Sequence, residues 1–184
     1  GLAYTFTLRE GVKWHNGEDF VAGDVVATWQ IVNDPEFGTY NTYGWDSVVD
    51  VTVSEDGRQV VISTAEPYAP FLSLVGIAPI VPSSAVVDPQ AFATEYGRVL
   101  TGTGPFMLEE YVPQQQISFV RFDEYWGDRA ILDRLIYKIV PDDNTLLVQL
   151  RTGEVQGAAS ASSLSALRVE EALGIEGITI LENP

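Results

Sequence analysis

The residues best suited to chemistry lie in one stretch, where a glycine-rich segment, TGTGPF at 101–106, precedes paired carboxylates. A dinucleotide-binding fingerprint requires a third glycine, but the third position after Gly102 and Gly104 holds Met107, and Pro105 stands where the helix would begin. No lysine follows, as a P-loop would require. We therefore exclude a phosphate site and expect these glycines to adopt positive φ angles in a turn before a strand.

Adjacent acidic residues could supply a general acid and a general base. Such pairs occur at 109–110, 123–124, 142–143 and 170–171. Neighbours on a strand point to opposite faces, so one pair does not flank one scissile bond. A hydrolase site assembled across strands stays open as an alternative function, and its candidates are Glu109, Glu110, Asp123 and Glu124.

Other catalytic and metal-binding patterns are incomplete. His15, the single histidine, precedes Asn16-Gly17 in a predicted turn, and a lone turn histidine is typically structural. DDNT at 142–145 lacks the glycine and the final glutamate of a calcium loop, so it favours helix capping. The chain has no cysteine, which excludes thiol nucleophiles and zinc–thiolate sites. We predict no catalytic residue, no metal and no cofactor.

Composition limits the partners. The chain has 26 acidic and 10 basic residues and a formal net charge of −16, which repels nucleic acid. An acidic protein-interaction module that docks a basic partner stays open as a second alternative. The longest apolar run, 71–87, is interrupted by serine, glycine and proline and is not expected to cross a membrane. The first residues show neither an initiator methionine nor a charged leader, so we expect a mature or excised segment.

Hydrophobic periodicity predicts the elements of the first half. A strand is expected at 4–8, a helix from Ala22 to Val32 ended by Asn33-Asp34-Pro35, and a hairpin at 46–64 that turns at Asp56-Gly57. In this hairpin, Val49, Val51 and Val53 alternate along the first strand. Short helices are predicted near 71–75 and from Pro89 to Tyr96.

The second half is predicted to contain strands at 106–112 and 116–122 around a turn at Pro113-Gln114, followed by a strand at 135–139. A helix is predicted between a cap at 142–144 and Gly153, and Val155 follows it. The strand at 135–139, this helix and the segment at Val155 together suggest a βαβ unit whose two strands pair in parallel. A last helix, capped by Ser162 and ended by Gly174, precedes a strand starting at Ile178 and Ile180.

Three blocks carry a family resemblance. They are YTFTLREGVKWHNGEDFVAGDVVATW (4–29), TGTGPFMLEEYVPQQQISFVRFDEYWG (101–127) and LDRLIYKIVPDDNTLLVQLRTGEV (132–155). In this order they resemble the extracellular solute-binding proteins, family 5, of dipeptide, oligopeptide and nickel ABC importers. The resemblance implies an α/β fold, periplasmic-binding-protein type II-like and partial, with a mixed sheet, flanking helices and hairpins.

The resemblance also implies function. It suggests a hinged receptor that closes on a small solute, such as a peptide, outside the membrane and delivers it to an ABC permease without catalysis. Residues 1–85 would form an accessory subdomain and residues 86–184 part of lobe I, with lobe II and the N-terminal strands absent. The full-length protein would be extracytoplasmic, in the periplasm or at the cell surface, and lipid-anchored.

The resemblance places candidate ligand contacts on two loops. They are Tyr43 and Trp45 in the stretch FGTYNTYGWD, which also contains Tyr40, and Gly76, Ile77 and Ala78 after the short helix. Packing beneath the loop is the alternative for the aromatic residues. Two positions depart from the family pattern: Gln156 stands where an aspartate is usual, and Val21 where a threonine often caps the helix.

Overall fold

The computed structural model describes residues 1–39, 41–86, 88–96, 100–158 and 164–179. The chain divides into two compact units, one of residues 1–110 with 118–135 and the other of residues 111–117 with 136–184. The boundary expected at residue 85, between an accessory subdomain and lobe I of the whole receptor, stays a prediction.

An antiparallel three-stranded sheet forms the centre of the first unit. Strands β1 (Ala3–Thr7), β2 (Val48–Val53) and β3 (Gln59–Thr64) pair in the order β1-β3-β2, as the alternating apolar residues predict. The hairpin between β2 and β3 turns at Gly57, which has φ 69°. Val60 and Ile62 on the central strand are 0 and 3% exposed, so one face of this strand lies in the core.

A β-bulge changes which valines of β2 face the core. Val48 lies opposite Thr64 and Asp50 opposite Ser63, so Val49 is the extra residue. Val48 and Val51 are buried, whereas Val49 is 56% and Val53 42% exposed. The 49-51-53 alternation therefore indicated the strand correctly but not its buried face, because a bulge breaks the period of two.

Helix α1 (Ala22–Asn33) packs on this sheet. It begins after Val21, whose side chain makes no capping hydrogen bond, and ends at Asp34 before Pro35, as predicted. Its buried residues join β2, β3, Trp45 and Phe71 in one cluster, which consists of Ala22, Val25, Trp45, Val48, Val51, Val60, Ile62 and Phe71.

The buried carboxylate of Asp24 connects three segments of the first unit. Asp24 is 2% exposed, and its Oδ2 accepts hydrogen bonds from Trp14 Nε1 at 3.0 Å and from the Val21 amide at 2.9 Å. Its Oδ1 accepts from the Ser83 amide at 2.8 Å. Asp24 thus ties the first turn of α1 to the segment around Trp14 and to the loop after Val81. It also satisfies the Val21 amide at the helix N-terminus that lacks a side-chain cap.

Two short helices follow the first sheet, both where the sequence predicts them. Helix α2 spans Phe71–Val75, and α3 spans Pro89–Ala91 and continues as a π-helix at Phe92–Tyr96. Asp88 caps α3 by accepting a hydrogen bond from the Ala91 amide at 2.8 Å.

A second three-stranded sheet has the order β4-β5-β6. Its strands β4 (Phe106–Val112), β5 (Gln116–Arg121) and β6 (Arg134–Lys138) match the predicted positions, and Gln114 in the intervening turn has φ 60°. The amides of Arg121 and Ile139 donate to the carbonyls of Asp133 and Gln115, which makes β5 and β6 antiparallel.

The second unit contains α4 (Asp143–Thr152) and α5 (Ala166–Leu173). Asp142 caps α4 by accepting from the amide and the hydroxyl of Thr145, each at 2.8 Å, and Gly153 ends the helix with φ 72°. The capping role predicted for 142–145 is therefore confirmed.

Two predictions in this unit differ from the structure. Residues 153–158 form no strand after α4, so the expected βαβ crossover is wrong for this described segment. A strand is stable when a neighbouring strand pairs with its backbone N–H and C=O groups. An apolar residue such as Val155 does not by itself indicate that such a neighbour exists. Helix α5 has Ser165 as its N-cap and ends at Gly174, while Ser162 and Ile180 lie outside the described residues. Ile178 is not in a strand.

No helix among the described residues combines the length and apolar character that a membrane crossing requires.

The Asp24 hydrogen bonds predict a large loss of stability on substitution. Asp24→Ala leaves three N–H donors in buried or half-buried positions without their acceptor, and we expect a loss of at least about 3 kcal/mol in the free energy of unfolding. Asp19→Asn is the control, because the Asp19 side chain is 74% exposed and forms a surface ion pair with Lys13, and it should change stability by less than about 0.5 kcal/mol. Urea unfolding followed by tryptophan fluorescence measures both. Equal effects of the two substitutions would contradict the role of Asp24.

The cap of α4 predicts a pH dependence. Hydrogen bonds from the Thr145 hydroxyl and amide lower the pKa of Asp142 below its usual value. A carboxyl group whose pKa is lower in the folded state stabilises the fold above its unfolded pKa, and this contribution disappears as the pH falls through the folded value. Asp142→Ala should therefore destabilise the chain at pH 7 but much less at pH 2, measured by thermal unfolding.

Asp142→Asn is the matched control for this pH dependence. Asparagine also caps helices but does not titrate, so its stability difference from Asp142→Ala should persist at low pH. A pH-independent difference between the wild type and Asp142→Ala would contradict the proposed cause.

Candidate functional site

The two loops that the sequence assigns to ligand binding are close together in the first unit. We call residues 41–47 the aromatic loop and residues 76–80 the α2 loop. Gly44 in the aromatic loop has φ 82°, and a Cβ atom placed on it would lie 3.4 Å from the side chains of Leu74 in α2 and of Tyr68. Gly44 thus contacts α2 itself, and the α2 loop begins directly after this helix. Trp45 of the aromatic loop and Ile80 of the α2 loop line one pocket.

The predicted contact residues differ in exposure. Ile77 is 68% exposed, and Gly76 is also exposed. Tyr43, with φ 50°, and Ala78 are half-buried and pack against the core cluster. Trp45 is only 1% exposed. Tyr43 and Ile77 can therefore offer apolar surface to a solute, while Trp45 supports the loop from beneath. Tyr40 lies outside the described residues.

Trp45 carries a buried polar group. Its indole Nε1 has no hydrogen-bond partner in the described part of the chain, although most buried N–H groups have one. The Trp45 side chain also lines a cavity of about 160 Å³ between β1, β3, α1 and the α2 loop.

The glycine loop is held by His15. The Gly102 amide donates to His15 Nδ1 at 3.2 Å, and the other ring nitrogen, Nε2, lies 3.0 Å from the Gly104 carbonyl oxygen. The His15 amide also donates to the Gly102 carbonyl at 2.9 Å, and the ring packs edge-on against Phe122 with 5.0 Å between centroids. The sequence predicted a structural turn histidine but gave no signal for its partners, which are about ninety residues away.

The prediction of positive φ angles at Gly102 and Gly104 is wrong. Neither is among the residues with positive φ, and the strained residue of this loop is Leu100, with φ 43°. A Cβ atom on Gly102 would lie 3.4 Å from the His15 ring, so this glycine permits the close approach of the ring. The scaffold role of the loop agrees with the structure, because Trp126 Nε1 donates to the Thr103 carbonyl at 3.1 Å and the Arg9 guanidinium lies 4.5 Å from the Trp126 ring.

Two of the four carboxylates considered for a hydrolase site are engaged in ion pairs. Glu109 pairs with Arg134, and Asp123 pairs with Arg121 at 2.9 Å and with Arg129. Hydrogen bonds from Arg121 and then Arg129 lower the pKa of Asp123, the opposite of what a general acid at neutral pH requires. These contacts support the ion-paired scaffold interpretation and not the hydrolase alternative.

Within the described ranges no group of three or more histidine, cysteine, aspartate or glutamate side chains could hold a metal ion.

Comparison with known proteins gives one consistent family. The model of the bacterial extracellular solute-binding proteins, family 5 (middle), matches residues 1–181. Protein XP55 of Streptomyces lividans is 32% identical over 166 residues, covering 90% of this chain and 30% of the relative. The glutathione-binding protein GsiB of Salmonella typhi is 33% identical over 165 residues, covering 86% of this chain and 31% of the relative.

Solved structures show the same fold. The oligopeptide-binding protein AppA of Bacillus subtilis, solved in complex with a nonapeptide, has a TM-score of 0.75 and 26% identity, covering 84% of this chain and 32% of that protein. The expected fold class, part of a periplasmic-binding-protein fold, is thereby confirmed. The chain spans about a third of the length of the relatives that it matches.

The packing of Gly44 against α2 predicts that two glycine substitutions lower the free energy of unfolding by different amounts. Gly44→Ala forces a residue with a Cβ atom to φ 82° against Leu74 and Tyr68, and we expect a loss of about 1–2 kcal/mol. Gly104→Ala places its Cβ in open space at an ordinary φ and should cost less than about 0.5 kcal/mol. Chemical unfolding of the two variants checks this order. An equal or larger cost at Gly104 would contradict it.

Proposed function

Since the chain belongs to the bacterial extracellular solute-binding proteins of family 5, we propose that it is part of the solute-binding component of an ABC importer. This component would capture a small solute outside the membrane and deliver it to the permease subunits. The observation that carries the proposal is the family match over residues 1–181, which includes both loops assigned to ligand binding.

A peptide or similar small solute is the proposed ligand class. Two relatives support it by their names: GsiB is a glutathione-binding protein, and AppA was solved with a nonapeptide. Exposed Ile77 and half-buried Tyr43 offer apolar surface of the kind that lines solute sites, and the adjacent core holds the backbone of both loops. We propose that Tyr43 and Ile77 contact the solute directly, with Gly76 and Ala78 shaping the loop and Trp45 supporting it.

The proposed receptor is larger than this chain. Relatives are about three times longer, so we propose that residues 1–85 form an accessory subdomain and residues 86–184 part of lobe I, with lobe II and the N-terminal strands supplied by further sequence. Closure of two lobes on the solute is a common mechanism of binding proteins. The full receptor would lie outside the cytoplasmic membrane, in the periplasm or on the cell surface, with a lipid anchor.

Binding without catalysis is the proposed activity. Two relatives, GsiB and AppA, are named as binding proteins. Glu109 and Asp123 are two of the carboxylates considered for hydrolysis. Both form ion pairs with arginines, which favours a structural role for them. No observation in the described residues favours the acidic interaction module over the receptor.

Calorimetric titration of the longer receptor that contains this chain tests the function. We expect micromolar or tighter binding of at least one member of a panel of glutathione, a dipeptide and a nonapeptide. The 184-residue chain alone should bind more weakly than micromolar, because one side of a cleft encloses only part of a solute. Absence of binding by the longer receptor to every member of the panel would contradict the proposed solute class.

Substitutions in the two loops test the site separately. Ile77→Ala and Tyr43→Ala in the longer receptor should each weaken solute binding about fivefold to tenfold, since each removes apolar surface that a bound solute would cover. Ile131→Ala is the matched control, because Ile131 is 96% exposed and lies on neither loop. If both loop variants bind like the control, the assignment of these loops is wrong, although the receptor function would stand.

A further inference from the structure

The backbone of the α2 loop is held by hydrogen bonds at both of its ends. At the first end, the amide of Ala78 donates to the carbonyl of Val75 in α2 at 3.2 Å. At the second end, the amide of Val81, the residue that follows the loop, donates to the hydroxyl oxygen of Thr28 at 3.0 Å. The segment between these two bonds consists of residues 79–80, so the loop backbone has little freedom to change its course.

Thr28 is a buried polar residue of α1 that makes two hydrogen bonds at once. It is 3% exposed, and its hydroxyl donates to the Asp24 carbonyl at 2.8 Å while its oxygen accepts from the Val81 amide. A hydroxyl group has one donor and two acceptor sites, so these two bonds are compatible. The bond to Asp24 also restricts rotation of the hydroxyl group. Thr28 therefore presents a fixed acceptor to the end of the α2 loop.

Two further hydrogen bonds hold the segment that follows Val81. The Ser83 amide donates to Asp24 Oδ1 at 2.8 Å, and the Ser84 hydroxyl donates to the Glu18 carboxylate. These contacts lie farther along the chain from the α2 loop than the bond between Thr28 and Val81 does. Thr28 is therefore the residue of α1 whose hydrogen bond acts most directly on the course of the loop.

We propose that Thr28 is a positioning residue for solute binding, which fixes the α2 loop by holding the Val81 amide before the solute arrives. Ile77, which is 68% exposed on this loop, then contacts the solute with a smaller loss of backbone freedom. A loop that is already restricted to its bound conformation strengthens binding, because less conformational entropy is lost in the complex. This inference rests on the proposed function, since it concerns the same loop.

Amide hydrogen exchange of the 184-residue chain, followed by NMR, tests the anchoring without a solute. Thr28→Val keeps the branched shape of the side chain but removes the hydroxyl. Relative to the Ile62 amide in the central strand β3, exchange should become at least about tenfold faster at Val81 and about threefold faster at Ala78. Thr28→Ser keeps the hydroxyl and should exchange at nearly the wild-type rates. Unchanged exchange at Val81 in Thr28→Val, or equally fast exchange in Thr28→Ser, would overturn the proposal.

Thr152→Val is the matched control for the loss of a threonine hydroxyl from a helix. The Thr152 hydroxyl also donates to the carbonyl four residues earlier, that of Val148 at 3.1 Å, but Thr152 lies on α4 in the other unit. This variant should leave the exchange of the Val81 amide at the wild-type rate, and faster exchange there would contradict a specific role of Thr28. If circular dichroism shows that Thr28→Val is unfolded, Thr28→Ala takes its place.

Calorimetric titration of the longer receptor tests the effect on solute binding. With a panel solute that the wild type binds, Thr28→Val should weaken binding about threefold to tenfold, whereas Thr28→Ser and Thr152→Val should bind like the wild type. Wild-type affinity in Thr28→Val would overturn the positioning role and leave the receptor function standing. If the wild-type receptor binds no member of the panel, the proposed solute class is wrong, and the exchange rates decide by themselves whether Thr28 anchors the loop.

Discussion

The first unit depends on the buried carboxylate of Asp24. A carboxylate that is 2% exposed is costly unless hydrogen bonds replace its lost water, and here three N–H donors do so, from Trp14, Val21 and Ser83. Because these donors come from three different segments, the contact fixes where α1 begins and where the loop after residue 81 lies. Thr28 repeats the pattern one helical turn later, where its hydroxyl donates to the Asp24 carbonyl and accepts from the Val81 amide.

This anchoring has a functional consequence for the two candidate loops. Helix α1 shares one core cluster with Trp45 of the aromatic loop and Phe71 of α2. The position of α1 therefore affects where the aromatic loop and α2 pack on the core. Gly44 then brings Leu74 and Tyr68 within contact of the aromatic loop. Loops carried on a packed core in this way can vary an exposed side chain, such as that of Ile77, without loss of the fold. Such an arrangement suits a family whose relatives are named for different solutes.

Local patterns predicted most elements of this protein but few of the contacts between them. The Asp56-Gly57 turn, the Asp142 cap and the end of α1 before Pro35 were correct, because each depends on residues within one turn of each other. The buried face of β2 was not predicted, since a bulge at Val49 follows from pairing with β3. The positive φ angles expected at Gly102 and Gly104 were wrong, whereas their hydrogen bonds with His15, which is distant in sequence, agree with a scaffold role.

The sequence by itself determined the family, most of the helices and strands, and the positions of several turns and caps, because these depend on residue type and short-range periodicity. The three blocks that carry the resemblance preserve this information in order along the chain. Only the tertiary structure decided that Trp45 is buried beneath its loop, that Asp24 is shared by three segments, and that Gly44 of the aromatic loop packs against α2. The physical reason is that burial and hydrogen-bond satisfaction are set by partners far along the chain, which neither composition nor spacing reveals.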